Sequence, residues 1–127
     1  MKDVVEVIKA LRTQLERHKH TGLQEYPTHT IFIDPLLSSL GWYVRDPDEV
    51  QLEYPTIDGK SVDYAMKINS NPVLLLEAKQ LTDPLDDVKS ITQIVSYTAN
   101  VGIEWCVLPN GVLYKVYRTS DFGGIAA

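Results

Sequence analysis

The sequence predicts an α/β fold in which a mixed central β-sheet is flanked by helices. Three observations predict it. The 127 residues are enough for one compact hydrophobic core and too few for two domains. Apolar residues recur at helical spacing in 3–19 and 84–100, and they alternate with polar residues over 50–68. A content of 44% hydrophobic residues without any low-complexity tract is typical of a globular protein, not of a disordered or fibrous one.

Two helices are predicted before the strands. The first covers residues 3–19, and its apolar stripe consists of Val4, Ile8, Leu11 and Leu15. The second runs from about residue 25 to Leu40, with Gly41 at the position of a left-handed cap. Pro35 does not fit this second helix, because proline cannot donate a helical hydrogen bond. We therefore expect the second helix either to bend at Pro35 or to begin later than residue 25.

Three strands in a meander follow, at 50–54, 62–68 and 73–76. Turn residues separate them, namely Asp58-Gly59 and then Asn69 to Pro72. The third strand is a continuous apolar run, which is typical of a strand covered on both faces. It is therefore expected at the centre of the sheet.

The last part of the chain predicts one helix and two strands. Asp83-Pro84 is read as a helix cap followed by a proline in the first turn, so the helix is expected from 84 to about 100. Two short strands, 104–108 and 112–117, are joined by Pro109-Asn110-Gly111, which is typical of a hairpin.

The composition also bears on location and on partners. The single cysteine, Cys106, lies in an apolar run and is expected to be a small buried hydrophobe in a reducing compartment. Charges interrupt the first twenty residues, and no run reaches the roughly 18 apolar residues of a membrane helix. We expect a soluble, cytoplasmic protein without a membrane partner. The net charge of −5 argues against holding nucleic acid by surface charge alone.

The residues that are best suited to catalysis or metal binding lie at the end of the third strand. Side-chain alternation places Glu77 and Lys79 on one face, and an odd-length connection around Asn71 would bring Asp63 opposite Glu77 or Lys79. Two neighbouring carboxylates repel each other unless a cation lies between them, and their oxygens suit Mg²⁺. Such a metal polarises a phosphate and activates water, while a lysine orients the water or stabilises charge on phosphorus. This pattern predicts phosphodiester hydrolysis.

A simple ion pair at a strand end is the alternative for the same residues. A Glu-x-Lys triplet arises by chance in roughly one of two or three chains of this length. Asp58-Gly59-Lys60 and Asp87-Val88-Lys89 are similar triplets, and we interpret them as a turn and a solvated helix face. Only the triplet at 77–79 ends an apolar strand and follows a strand with an acidic residue. The residues alone leave both interpretations open.

Asp63, thirteen intervening residues and then Glu77-x-Lys79 before a helix resemble the PD-(D/E)XK nuclease superfamily. Within it, the chain resembles the N-terminal nuclease domain of type I restriction enzyme R (restriction) subunits. The matching stretches are 25–28, 32–42, 51–55, 62–65, 72–79 and 105–111. The resemblance implies a restriction-endonuclease-like αβββαβ core at 24–117, an added N-terminal helix within 1–22 and a tail at 118–127.

The resemblance further implies a DNA endonuclease that depends on Mg²⁺, for which Mn²⁺ can substitute. The residues that it assigns are Asp63, Glu77, Glu25 and the Ala78 carbonyl as metal ligands, Lys79 as the catalytic lysine, and Gln93 and Tyr97 as DNA-binding or supporting residues. Two positions depart from the family pattern. Val62 stands where the superfamily has its proline, and His29 stands where relatives commonly have arginine.

The expected partner is DNA, bound weakly by this domain alone, within a homodimer or a larger restriction-type complex. Because the positive charge is weak and no GxxxxGK[ST] phosphate loop is present, a second function stays open. It is a catalytically inactive nucleic-acid-binding or docking module that retains the nuclease fold. A third is an assembly module that buries the apolar stripe of the first helix against another chain.

Overall fold

The computed structural model describes residues 3–18, 32–56, 58–80 and 83–122. These residues form an α/β fold with a mixed sheet, which confirms the predicted class. The helices are α1 (Val4–His18), α2 (Asp34–Ser39) and α3 (Val88–Asn100). The strands are β1 (Val50–Pro55), β2 (Ser61–Ile68), β3 (Asn71–Leu76), β4 (Trp105–Pro109) and β5 (Tyr114–Arg118).

The five strands lie in the order in which they occur in the chain. β1, β2 and β3 form the predicted antiparallel meander, α3 then carries the chain to β4, which pairs parallel with β3, and β5 returns antiparallel to β4. β3 is therefore the central strand, as its apolar run predicts. Leu75 and Leu76 are both buried, one in each of the two cores that flank the sheet.

The core under α3 and the core under α2 draw on alternate residues of the same strands. On the α3 side the buried residues include Ala65, Leu75, Ile94, Val95, Cys106 and Leu108. On the α2 side they include Ile33, Leu37, Tyr64, Met66, Leu76 and Val107. Cys106 is a free, buried cysteine, and burial raises the pKa of its thiol. This matches the prediction of a small buried hydrophobe.

The N-terminal helices follow the prediction except at one residue of the α1 stripe. In α1 it is Val7 that is buried, with 8% of its surface exposed, while Ile8 is 43% exposed. Val4, Leu11 and Leu15 of the predicted stripe are half-buried, so only Ile8 is replaced, by Val7, whose spacing from Val4 and Leu11 is as regular for a helix. In α2, Pro35 lies in the first turn, where proline costs no helical hydrogen bond. The predicted start of this helix, from residue 25, lies outside the described residues.

The predicted start of α3 is wrong by four residues. Asp87, not Asp83, caps the helix and accepts hydrogen bonds from the Lys89 amide at 3.3 Å and the Ser90 hydroxyl at 2.8 Å. Asp83 instead accepts from the amide of Leu85, at 2.8 Å. Leu85 has a φ of +60° and is 2% exposed, so the chain turns there to bury a leucine before the helix begins.

The C-terminal hairpin is wider than predicted, because Asn110 closes a four-residue loop. Its side-chain oxygen accepts from the amides of Val112 and Leu113, at 2.9 and 2.7 Å. A 3₁₀ helix, Thr119–Phe122, follows β5 and contacts α3. The Thr119 amide donates to the Glu104 carbonyl at 2.8 Å, so the chain stays attached to the fold where the sequence predicts a tail to start. Among the described helices, none has the length and apolarity needed to cross a bilayer.

Candidate functional site

The register of β2 and β3 brings Asp63 and Glu77 together. The two strands pair Tyr64 with Leu76, so the next residues toward the end of β3, Asp63 and Glu77, stand opposite each other. The amide of Asp63 donates to Oε1 of Glu77 at 3.2 Å. Of the two partners that the sequence left open for Asp63, the structure therefore selects Glu77.

A β-bulge produces this register. Ile68 pairs with Asn71 and Lys67 with Pro72, but Met66 pairs with Leu74, so Val73 is an extra residue on β3. Without that extra residue Asp63 would face Leu76, and its carboxylate would have no acidic neighbour across the strands. The bulge therefore creates the pair of carboxylates.

The segment after β3 continues along β4. The Glu77 amide donates to the Val107 carbonyl at 3.0 Å, and the Lys79 amide donates to the Pro109 carbonyl at 2.8 Å. This pairing keeps the chain extended, so Glu77 and Lys79 share the face covered by α3, whereas Ala78 packs against the core under α2. The sequence prediction of one shared face for Glu77 and Lys79 thus agrees with the backbone.

The backbone of Ala78 faces β2. Its amide donates to Oδ2 of Asp63 at 2.8 Å. In an extended strand the amide and the carbonyl of one residue point to the same side, so the Ala78 carbonyl is directed toward the strand that carries Asp63. This is the orientation that a backbone ligand beside Asp63 requires.

The electrostatics of the pair are unfavourable without a cation. Burial raises the pKa of Glu77 to about 8, with further contributions from the hydrogen bond to Asp63 and from its negative charge, while the charge of Lys79 acts in the opposite direction. At neutral pH the carboxyl group of Glu77 therefore retains a proton. A bound cation in the place of that proton would remove the repulsion.

Gln93 and Tyr97, the two residues that the resemblance assigns on α3, form a chain of hydrogen bonds that ends at Asp58. Nε2 of Gln93 donates to the hydroxyl of Tyr97 at 2.8 Å, and the Tyr97 hydroxyl donates to Oδ2 of Asp58 at 2.6 Å. The hydrogen bond to Asp58 is the main cause of a raised pKa for Tyr97, and the charge of Glu77 contributes as well. Gln93 and Tyr97 thus belong to the same side of the sheet as Glu77.

Asp58 is the residue that sequence reasoning missed. It lies in the turn between β1 and β2, which the sequence analysis interprets as a turn and nothing more. An aspartate before glycine is typical of any turn, and 39 positions separate it from Tyr97. No local pattern in the sequence indicates that contact.

The predicted ligand Glu25 lies outside the described residues, so the structure gives it no position. Within the ranges that the structure describes, three or more His, Cys, Asp or Glu side chains do not gather into a metal-binding group. What these ranges supply is two facing carboxylates and one backbone carbonyl.

Such oxygen donors are hard ligands that fit Mg²⁺ or Mn²⁺, and a cation between them would compensate the charge that burial makes unfavourable. Lys79 adds a positive charge on the same face, two residues from Glu77. Together these groups can hold a divalent cation on the face that also carries the Lys79 ammonium group, which is an arrangement suited to a phosphate ester. In comparisons with known proteins, no family model, no curated protein and no solved structure matches this chain.

Proposed function

We propose that the chain is a Mg²⁺-dependent endonuclease that hydrolyses DNA phosphodiester bonds, similar to the R subunits of type I restriction enzymes. The observation that carries the proposal is the placement of Asp63 opposite Glu77, with Lys79 two residues later on the same face. The order α2, β1, β2, β3, α3, β4 supports a restriction-endonuclease-like αβββαβ core as part of this proposal.

Asp63, Glu77 and the Ala78 carbonyl would hold the cation. When bound, Mg²⁺ supplies positive charge that polarises a phosphate oxygen and acidifies a water molecule. The protein fixes the carboxylates in advance, since one oxygen of Asp63 accepts from the Ala78 amide and one oxygen of Glu77 accepts from the Asp63 amide. The proton held by Glu77 would leave when the cation enters.

Lys79 would act on the reacting phosphate. Its backbone is held by the Pro109 carbonyl, so the side chain starts from a fixed position on the face of Glu77. An ammonium group there can orient the attacking water and stabilise the negative charge that builds up on the phosphate oxygens. Hydrolysis then joins the water oxygen to phosphorus and breaks one ester bond.

The first experiment compares plasmid nicking by the wild type and by Glu77→Ala and Lys79→Ala, with Mg²⁺ or Mn²⁺. We expect each substitution to reduce the nicking rate by about a hundredfold or more, because each removes a group that stabilises the transition state. Lys67→Ala is the matched control. Lys67 also lies on a strand of the sheet, β2, but its ammonium group donates a hydrogen bond to the Pro47 carbonyl, away from the carboxylates. Equal residual activity in all four proteins would contradict the assignment.

Metal binding separates this proposal from the alternative of an inactive nucleic-acid-binding or docking module. Calorimetry with Mn²⁺ should show uptake by the wild type and loss of uptake in Glu77→Ala, in the absence and in the presence of DNA. DNA binding without any uptake of Mn²⁺ or Mg²⁺ would support the inactive module instead.

A further inference from the structure

The turn between β1 and β2 is joined to α3 through one carboxylate. Oδ1 of Asp58 accepts from the hydroxyl of Thr56 at 2.5 Å and from the amide of Lys60 at 3.3 Å. Oδ2 accepts from the hydroxyl of Tyr97 at 2.6 Å. Both oxygens of Asp58 are thus engaged, and its orientation is fixed by the turn that carries it.

The direction of these hydrogen bonds determines which polar group is still free to form a hydrogen bond with a substrate. The hydrogen bonds from Thr56 and Tyr97 lower the pKa of Asp58 to about 2, so this carboxylate is an acceptor throughout the neutral range. Tyr97 must therefore give its only proton to Asp58, and its oxygen accepts from Gln93. Tyr97 has no proton left for a phosphate, whereas Gln93 keeps a second N–H and a carbonyl oxygen.

We propose that Asp58 is a positioning residue of the nuclease site, which holds Tyr97 in place and thereby presents the amide of Gln93 to the DNA backbone beside Glu77. The inference rests on the proposed function and deepens it, because it assigns substrate contact on α3 to Gln93 and a supporting role to Tyr97. Asp58 itself touches neither the substrate nor the reacting atoms.

Closing the turn does not require the contact with Tyr97. Thr56 and Lys60 already hold the carboxylate within the turn. The contact with Tyr97 is solvent-exposed, and an exposed hydrogen bond adds little to the free energy of folding. Its main consequence is geometric, since it links the β1–β2 turn to the helix that carries Gln93.

The test measures binding of a fluorescent DNA duplex in Ca²⁺, together with KM and kcat for plasmid nicking in Mg²⁺. The proteins compared are the wild type, Asp58→Ala, Asp58→Asn, Gln93→Ala and the double variant Asp58→Ala/Gln93→Ala. Asp46→Ala is the matched control, because Asp46 also accepts from a turn amide, that of Asp48, but lies outside the site.

We expect Asp58→Ala to raise both the dissociation constant and KM about fivefold, while kcat changes less than about twofold, which corresponds to the loss of roughly one hydrogen bond. Asp58→Asn should recover most of the affinity, because its amide oxygen still accepts from Tyr97. Since both variants remove the same negative charge, the difference between them reports the hydrogen bond. The double variant should bind no more weakly than Gln93→Ala alone.

Carbon-13 NMR of the tyrosine Cζ atoms gives a readout that is independent of activity. Asp58→Ala should shift the Tyr97 resonance, which Tyr97→Phe identifies, while Asp46→Ala should leave it unchanged. Three results would each overturn the role of Asp58 without affecting the proposed function. They are an unchanged Tyr97 resonance, affinities equal to those of the control, and additive effects in the double variant. A wild type that neither binds nor cleaves DNA would overturn the proposed function and this role with it.

Discussion

Glu77 shows how one residue can link the folding of this domain to its proposed chemistry. Its carboxyl group is half-buried beside Asp63, and these two facts raise its pKa to about 8. In the unfolded chain the same group ionises near its ordinary pKa of 4.5. Between these two pKa values the folded chain retains a proton that the unfolded chain has lost. In this pH range the free energy of unfolding of the cation-free protein therefore falls as the pH rises.

This difference predicts a pH-dependent free energy of unfolding. The contribution of Glu77 is fully present below pH 4.5 and is lost as the pH rises toward 8, because the folded pKa is the higher one. Glu77→Gln cannot ionise, so we expect it to be more stable than the wild type by about 2 kcal/mol at pH 8.5, a value discounted for partial solvent exposure. The two proteins should be nearly equally stable at pH 4.5.

Urea unfolding of both proteins at pH 4.5 and 8.5, in EDTA, measures this effect. Glu6→Gln is the control, since Glu6 is exposed on α1. A wild type and a Glu77→Gln variant that lose stability in parallel would show that Glu77 is not the group responsible. Adding Mg²⁺ at pH 8.5 should stabilise the wild type more than Glu77→Gln.

At the level of single elements, the strand pattern predicted the meander but not its register. The sequence predicts an odd-length connection around Asn71, which would place Asp63 opposite Glu77 or Lys79, but the turn has two residues and on its own would place Asp63 opposite Leu76. The extra residue is the bulge at Val73, which moves the partner of Asp63 from Leu76 to Glu77 and leaves no local pattern in the sequence. Likewise, Asp83 and Asp87 are both good helix caps by type, and only the burial of Leu85 before the helix shows which one acts. Contacts between distant elements, such as Asp58 with Tyr97, leave no local pattern at all.

The loop between β4 and β5 offers a test of a close packing contact. Gly111 has a φ of +95°, and a Cβ atom there would lie 3.0 Å from the Cβ and Cγ atoms of Phe32, which is buried. Gly102 has a φ of +76° but open space around it. We expect Gly102→Ala to cost about 1 kcal/mol through backbone strain alone. Gly111→Ala should cost about 3 kcal/mol, because the clash with Phe32 is added.

Chemical denaturation of the two alanine variants gives the comparison directly. Equal losses for Gly102→Ala and Gly111→Ala would mean that Phe32 moves aside without cost. Because the clash is with the Phe32 side chain, we expect Gly111→Ala to cost less free energy of unfolding in a Phe32→Leu background than in the wild type.

For the whole molecule, the net charge of −5 opposes DNA, and the site contributes to that opposition. Asp63 and Glu77 are two of its seventeen acidic residues. Under the proposed function a DNA phosphate approaches this pair, and Glu77 adds its negative charge there as the pH rises past its raised pKa of about 8. Cation binding at the pair would remove this local repulsion. Proposed binding to DNA, as part of a homodimer or a larger complex, is therefore expected to depend on the divalent cation.

This dependence predicts a reversal of affinity. At pH 8.5 in EDTA, Glu77→Gln should bind a DNA duplex about threefold more tightly than the wild type, because it lacks one negative charge near the phosphates. In Ca²⁺ the order should reverse, since the variant has lost a cation ligand. Fluorescence anisotropy at constant ionic strength measures both. A variant that binds more tightly in both conditions would exclude a cation between Asp63 and Glu77.

The pairing of the 77–79 segment with β4 also bears on the order in which the domain folds. Asp63 and Glu77 belong to strands joined by a two-residue turn, and such local pairings form early. Lys79 is anchored by Pro109, which follows only after the whole of α3, and contacts so far apart in the chain form slowly. During synthesis the carboxylates can thus meet while β4 is still unmade. A nascent chain at that stage has brought together the two carboxylates proposed to bind a cation, but it has not yet anchored Lys79, the residue proposed to act on the phosphate.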